Sequence, residues 1–199
     1  MIIAKKIRLF PTKEQEEKMI ESCNTARYIY NYTLAKQEQN YKEGNQFLKN
    51  TEIRKELTTL KKTEKFGWLN NVSNNVTKQA VKDACNAYIK YFKGLSEKPK
   101  FKKKGKSRES FYNDDYKLKI KDESLLLEKV GWIKIKPDQV DKNTHYTNPR
   151  ITYDGKYWYI TAYVLLFFLI PYLNKLSKSL TQKQYRNMLI VLFLLLSVV

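Results

Sequence analysis

The sequence predicts an α+β fold, a small antiparallel β-barrel with an α-helical insertion after its first strand, and three observations predict it. An apolar period of two opens the chain, a period of three to four runs from residue 12 to residue 94, and the period of two then returns. A lone amino-terminal strand leaves its backbone unpaired, so it is expected to join the later strands in one barrel.

Ile3, Ile7 and Leu9 alternate with Lys6, Arg8 and Phe10, which reads as a strand ended by Pro11. Thr12 and Gln15 form a capping box, Glu14, Glu16 and Glu17 suit a positive helix start, and Met19, Cys23, Ala26, Tyr30 and Leu34 repeat at helical spacing to about Gly44. Ile53, Leu57 and Leu60 define a second helix after Thr51. Ser73 starts a third, with Val76, Ala80, Ala84, Ala87 and Tyr91 on its apolar face and Gly94 as its stop. Strands are expected at Lys117–Lys121, Leu125–Glu128, Trp132–Lys136, Arg150–Tyr153 and Lys156–Val164. Asp154-Gly155 suits a type I′ hairpin turn, whose two central residues both need positive φ.

The chain has 199 residues, 38 Lys and Arg against 20 Asp and Glu, and a net charge of +18, which points to a polyanionic partner. Aromatic residues make up 14%, too many for a disordered basic tail. Cys23 and Cys85 stand alone with one histidine, His145, which excludes a disulfide scaffold and a Cys/His zinc site. No secretory signal opens the chain, so the cytoplasm is the expected location.

Residues 1–164 hold all 20 acids, whereas residues 165–199 hold none and carry 11 Leu. Neither apolar run of this tail, Ile160–Leu173 or Met188–Val199, reaches the roughly 18–20 residues of a membrane-spanning helix. A membrane-associated hairpin is one reading. The other is a frameshifted or truncated end, because Lys, Asn, Ile and Tyr codons are A/T-rich and yield Phe and Leu codons in another frame.

The third helix carries a polar stripe of Asn75, Gln79, Lys82, Asn86 and Lys90 opposite its core. Amides bond adenine edges and lysines pair with phosphates, so this face suits a short DNA element; a merely solvated face competes. Arg27, Tyr28, Asn31, Tyr32 and Lys36 add rings and charge on the first helix, where core packing competes. The run Lys98 to Arg108 has seven basic residues in eleven and no acid, a flexible cationic strap around Phe101. Six or seven phosphate contacts there imply a log–log salt slope of roughly −5 to −6 on duplex DNA. Asp114-Asp115 and Asp122-Glu123 are neighbours in turn-like segments and do not converge as a metal site would. No Gly-rich phosphate loop or acyl-transfer triad is present.

In order, KKIRLFPTKEQ, ARYIYNYTLAKQEQNY, WLNNVSNNVTKQAVKDACNAYIKYFKG, KPKFKKKGKSRESFYND, LLLEKVGWIKIK and ITYDGKYWYITAYV resemble the amino-terminal half of TnpB (OrfB-type) proteins of insertion sequences, long labelled transposases and related to type V CRISPR effectors. The resemblance covers residues 1 to about 164. It implies a split wedge barrel of residues 1–11 and 112–164, a helix-turn-helix-like recognition lobe over 12–97 and a basic linker over 98–111, from which the apolar tail over 165–199, out of frame or truncated, departs. It implies DNA and a transposon-derived guide RNA as partners, and no small-molecule substrate. Asn75, Gln79 and Asn113 become candidate base readers, with Tyr30, Ser73, Asn74 and Ser110 beside them. Lys82, Lys100, Lys102, Lys103, Lys104, Lys106 and Arg108 become backbone contacts. The family's RuvC-like carboxylates, which use Mg²⁺, and its four-Cys zinc ribbon have no counterparts here, so the chain is expected to bind without cutting and without a cofactor. A stand-alone DNA- or RNA-binding regulator is the alternative, and a basic membrane-associated protein ranks last.

Overall fold

Strand β1 (Ile2–Phe10) ends at Pro11, and Thr12 caps helix α1 (Lys13–Lys42). The capping box forms: Gln15 N–H donates to Thr12 Oγ1 at 3.3 Å and Thr12 N–H to Gln15 Oε1 at 3.1 Å. Next come α2 (Asn50–Leu60), a short 3₁₀ helix (Glu64–Asn70) and α3 (Asn74–Phe92). Strands β2 (Glu109–Tyr112), β3 (Lys119–Lys121), β4 (Ser124–Leu127), β5 (Gly131–Ile135), β6 (Tyr146–Tyr153) and β7 (Trp158–Leu165) complete the order. The computed structural model describes residues 2–136, 140, 145–165, 181 and 184. The tail expectations lie outside these, apart from Leu165, Thr181 and Gln184.

The fold is mixed helix and sheet. One seven-stranded sheet, in the order β2-β6-β7-β1-β5-β4-β3, curls into a half-barrel, with antiparallel pairing at β2/β6, β6/β7, β1/β5, β5/β4 and β4/β3. β1 does join the later strands, between β7 and β5. The described sheet keeps two ends, β2 and β3. Residues 4–164 are one compact unit. No described helix is long and apolar enough to cross a membrane.

Alternation puts Ile7, Leu9, Leu125, Leu127, Ile133, Ile135, Ile151 and Ile160 on the sheet's buried face. The helices share a core of Ile29, Ile53, Leu57, Leu69, Val81 and Cys85, continued by Tyr30, Leu34, Ala84 and Tyr88. Each such aliphatic side chain contributes about 1.5–3 kcal/mol by leaving water. The first turn of α1 is tied to strands on both sides of β1. Gln15 Nε2 donates to the Trp132 carbonyl on β5 at 2.7 Å, and Trp158 Nε1 on β7 donates to Glu16 Oε1 at 3.0 Å.

Several elements differ from the expectation. α2 starts at Asn50, because the Glu52 carboxylate accepts from Lys49 N–H at 2.8 Å and fixes the first turn there rather than after Thr51. On α3 the buried aromatic ring is Tyr88, one turn beyond Ala84, while Tyr91 is exposed. Glu109–Tyr112 is strand, not the end of a linker and start of a barrel segment, because it pairs with Arg150–Tyr153. The hairpin turn is not type I′: only Gly155 has positive φ (96°), at the first central position, and Asp154 Oδ1 accepts from Lys156 N–H and Tyr157 N–H at 3.0 and 2.8 Å. β6 carries a bulge between Thr147 and Arg150, where Asn148 takes φ 49° before Pro149.

Candidate nucleic-acid interface

α3 brings Asn75 and Gln79 to one side and Asn74 to the other, and each arrives with a partner. At its start, Ser73 caps the helix by accepting from Asn75 N–H at 3.1 Å, and its hydroxyl donates to Glu128 Oε2 at 2.5 Å. Asn75 Nδ2 donates to the same carboxylate oxygen at 3.2 Å. Asn74 turns to the other flank, where its Oδ1 accepts from Lys61 Nζ at 2.9 Å. One turn beyond Asn75, Gln79 Nε2 donates to Asp83 Oδ1 at 2.8 Å, and Arg150 of β6 pairs with Asp83 at 2.8 Å. Asn75 and Gln79 thus each commit one N–H to a carboxylate and keep the second N–H and the carbonyl oxygen, the pair that a two-point contact with a base edge needs. Lys82 lies exposed on the same side.

Asn113 does not reach this surface. It is 2% exposed, its Oδ1 accepts from Glu128 N–H at 3.0 Å, and its Nδ2 donates to the Asp114 carbonyl at 2.9 Å. Its own N–H donates to the Pro149 carbonyl at the bulge, at 3.1 Å. Asn113 is a buried bracket between β2, β4 and β6 rather than a base reader, and what it positions is Glu128.

The strap is pinned rather than flexible at its centre. Asn31 of α1 clamps the Lys102 backbone from both sides, its Nδ2 donating to the carbonyl at 2.9 Å and its Oδ1 accepting from the N–H at 2.8 Å. The Lys102 ammonium sits 4.1 Å from the centre of the Tyr30 ring. Burial lowers the Lys102 pKa; nearby Asp83 pulls it back up and Arg150 pushes it down again. Burial, with Asp83 adding to it, raises that of Tyr30. After this anchor the chain turns, with Ser107 N–H bonded to the Lys103 carbonyl at 2.9 Å and Gly105 at φ +70°, and presents Lys103, Lys104 and Lys106 to solvent. Lys100 pairs with Glu97 at 3.0 Å, and exposed Arg108 reaches Thr152 Oγ1 at 3.4 Å.

These elements meet at a narrow crevice between α1, α3 and β2, lined by Gln79, Lys102 and Ser110 with Asp83, Tyr112 and Arg150. Three of the sequence candidates therefore converge, with the exposed strap lysines following Lys102 in the chain. Ser73 and Asn75 form a second polar cluster one turn away, around Glu128.

Sequence reasoning missed an aromatic and cationic face on the half-barrel. Lys6 lies 3.8 Å over the Tyr159 ring, and Arg8 lies 3.6 Å over Tyr157 and 5.0 Å from Phe10. Phe10 pairs with Lys134 across β1 and β5, and Phe10, Trp132 and Tyr163 are exposed. The signal was present in the alternation of Lys6, Arg8 and Phe10 and of Tyr157, Tyr159 and Tyr163, but those stretches lie about 150 residues apart. Rings flanked by cations suit stacked bases and their phosphates. Among the described residues, no group of three His, Cys, Asp or Glu is placed to hold a metal ion.

A cationic strap, an amide-bearing helix and a sheet face of rings and cations are features of a surface suited to nucleic acid. Residues 1–46, which form β1, α1 and the turn after it, match the family model HTH_OrfB_IS605, described as a helix-turn-helix domain. Over 129 residues the chain is 28% identical to the "Putative RNA-guided DNA endonuclease InsQ" of Escherichia coli strain K12, covering 65% of this chain and 32% of that protein. Over 105 residues it is 29% identical to a "Putative RNA-guided DNA endonuclease" of Streptomyces pristinaespiralis, covering 53% of this chain and 26% of that one. The aligned part spans about a third or less of these relatives' length. The resemblance to TnpB/OrfB-type insertion-sequence proteins read from the sequence is thus matched, at its amino terminus and along more than half of the chain.

Proposed function

We propose that this chain is the nucleic-acid-binding amino-terminal portion of a TnpB-family protein, with α1–α3 acting as a recognition lobe inserted after the first strand of a wedge half-barrel. The observation that carries this reading is the convergence of Gln79, Lys102 and Ser110 on one crevice, continued by exposed Lys103, Lys104 and Lys106. In it, the strap and Lys82 hold backbone phosphates beside the target, Asn75 and Gln79 read base edges, and the ringed face of β1, β5 and β7 holds a guide RNA derived from the transposon end. Asp83 and Glu128 would repel phosphate if bare; Arg150 offsets the first, and Ser73 and Asn75 occupy the second. We further propose that the chain binds without cutting and needs neither Mg²⁺ nor Zn²⁺, and that it works in solution at the nucleoid.

Fluorescence anisotropy with duplexes selected from a randomised library tests this. Gln79→Ala is expected to weaken binding by about 1–3 kcal/mol at one base position and leave the others alone. Equal affinity of wild type and variant for every duplex would remove the base-reading role, and absence of salt-dependent binding to any DNA or RNA would remove the reading as a whole.

A further inference from the structure

A second concave site lies on the other flank of α3, between its first turn and the last two turns of α2. Arg54 and Lys55 from α2, Lys61 at its carboxyl cap and Lys78 from α3 line it, together with Asn74 and Thr77. The cavity holds about 280 Å³, and no Asp or Glu is among its lining residues. Lys61 is the built part of the site. Its ammonium donates to Asn74 Oδ1 at 2.9 Å and to Thr77 Oγ1 at 3.0 Å, so two of its three N–H groups are aimed by α3.

Four cations facing one cavity repel one another, and the acids of α2 are committed elsewhere. Glu52 caps its own helix, and Glu56 bonds Tyr32 and Lys36 on the opposite face. Burial and the neighbouring Lys78 lower the Lys61 pKa, so the free site bears an electrostatic cost that an anion relieves. The first turn of α3 lines the same cavity and adds the partial positive charge of a helix start.

We propose that this cavity is a phosphate-binding site, which engages a backbone phosphate of the bound nucleic acid on the flank of α3 opposite the strap. The assignment of the phosphate to nucleic acid rests on the proposed function; the site itself does not. The site would fix α3 from both flanks while Asn75 and Gln79 face the bases.

The test uses the full chain and two probes, a single-stranded oligonucleotide and inorganic phosphate. Lys61→Gln with Arg54→Gln removes two cations; Lys55→Glu, at an exposed position, puts an anion at the mouth without touching the packing, should the double variant fail to fold. Each lost phosphate contact should make the log–log salt slope shallower by roughly 0.7 on a single strand. Both variants are expected to lower oligonucleotide affinity several-fold at 150 mM salt, and millimolar phosphate should raise the melting temperature of wild type but of neither variant. Wild-type slopes and affinities in folded variants, with no phosphate effect, would overturn the site while leaving nucleic-acid binding standing. If wild type binds no nucleic acid, the proposed function fails, and protection by phosphate in wild type alone would assign the site to free phosphate.

Discussion

The clamp on the strap makes a local prediction that separates a docked strap from a flexible one. Asn31→Ala removes both hydrogen bonds to the Lys102 backbone, at 2.9 and 2.8 Å, each contributing about 1 kcal/mol net. The Lys102–Tyr30 contact at 4.1 Å adds about 0.5–1 kcal/mol, but the lowered Lys102 pKa marks a burial cost that offsets it. Opening the strap therefore costs about 2 kcal/mol in the wild type on account of the clamp, which corresponds to roughly a 30-fold protection of the Lys102 amide. Hydrogen exchange read at that amide checks it. In Asn31→Ala the amide should exchange about 30-fold faster, and in Asn31→Asp, which keeps the acceptor and loses the donor, about fivefold faster. Buried α3 amides such as that of Val81 should be unchanged. A wild-type Lys102 amide exchanging at the rate of an open chain, or no change in Asn31→Ala, would refute the docked strap.

Three further outcomes follow from the same geometry. Asn113→Ala leaves the Glu128 N–H without its partner at 3.0 Å; it should cost about 2 kcal/mol and lower the melting temperature by roughly 4–8 °C in a thermal melt. Burial, with Glu109 adding to it and Arg27 opposing, pushes the Cys23 thiol up to about 12, and Cys85 is also buried, so a thiol reagent at pH 8 should modify both cysteines only in denaturant. Glu56 is raised by burial, but hydrogen bonds from Tyr32 at 2.5 Å and Lys36 at 2.9 Å outweigh that and hold it below 4.5. Its folded value is the depressed one, so its contribution is present above pH 4.5 and is lost as pH falls through that folded value. Denaturant melts of Glu56→Gln should show less than about 1 kcal/mol lost at pH 7, since the pair is partly exposed, and a smaller acid-dependent decline than wild type.

What could be read from the sequence was local. The Thr12–Gln15 box, Pro11, the Ser73 cap and the alternation of Ile7 and Leu9 with Lys6 and Arg8 each act within a few residues, and β1, α1, α3, β4, β5 and β7 came out close to their observed places, whereas only the second half of β6 did. What could not be read depends on partners distant in sequence. Residues Glu109–Tyr112 look like the end of a basic run and become strand only because β6 offers them a register 40 residues later. The same holds for the site. Asn75 and Gln79 were correctly placed on one face, but Glu128 lies 53 residues from Asn75, and Arg150 lies 67 residues from the Asp83 that Gln79 bonds. Asn113 looked like a surface amide and is a buried bracket for that reason. The Lys61 cavity was illegible because its cations are unremarkable surface residues until α2 packs on α3.

The central claim is that the strap beside α3 holds a nucleic-acid backbone, and the salt dependence of binding tests it most directly. The duplex affinity of the full chain is measured from 50 to 300 mM salt for wild type and for Lys103→Gln/Lys104→Gln/Lys106→Gln, three exposed positions whose loss leaves the Asn31 clamp intact. A slope shallower by roughly 2–3 in the triple variant is the predicted result. Identical slopes would contradict the account and move the interface away from the strap.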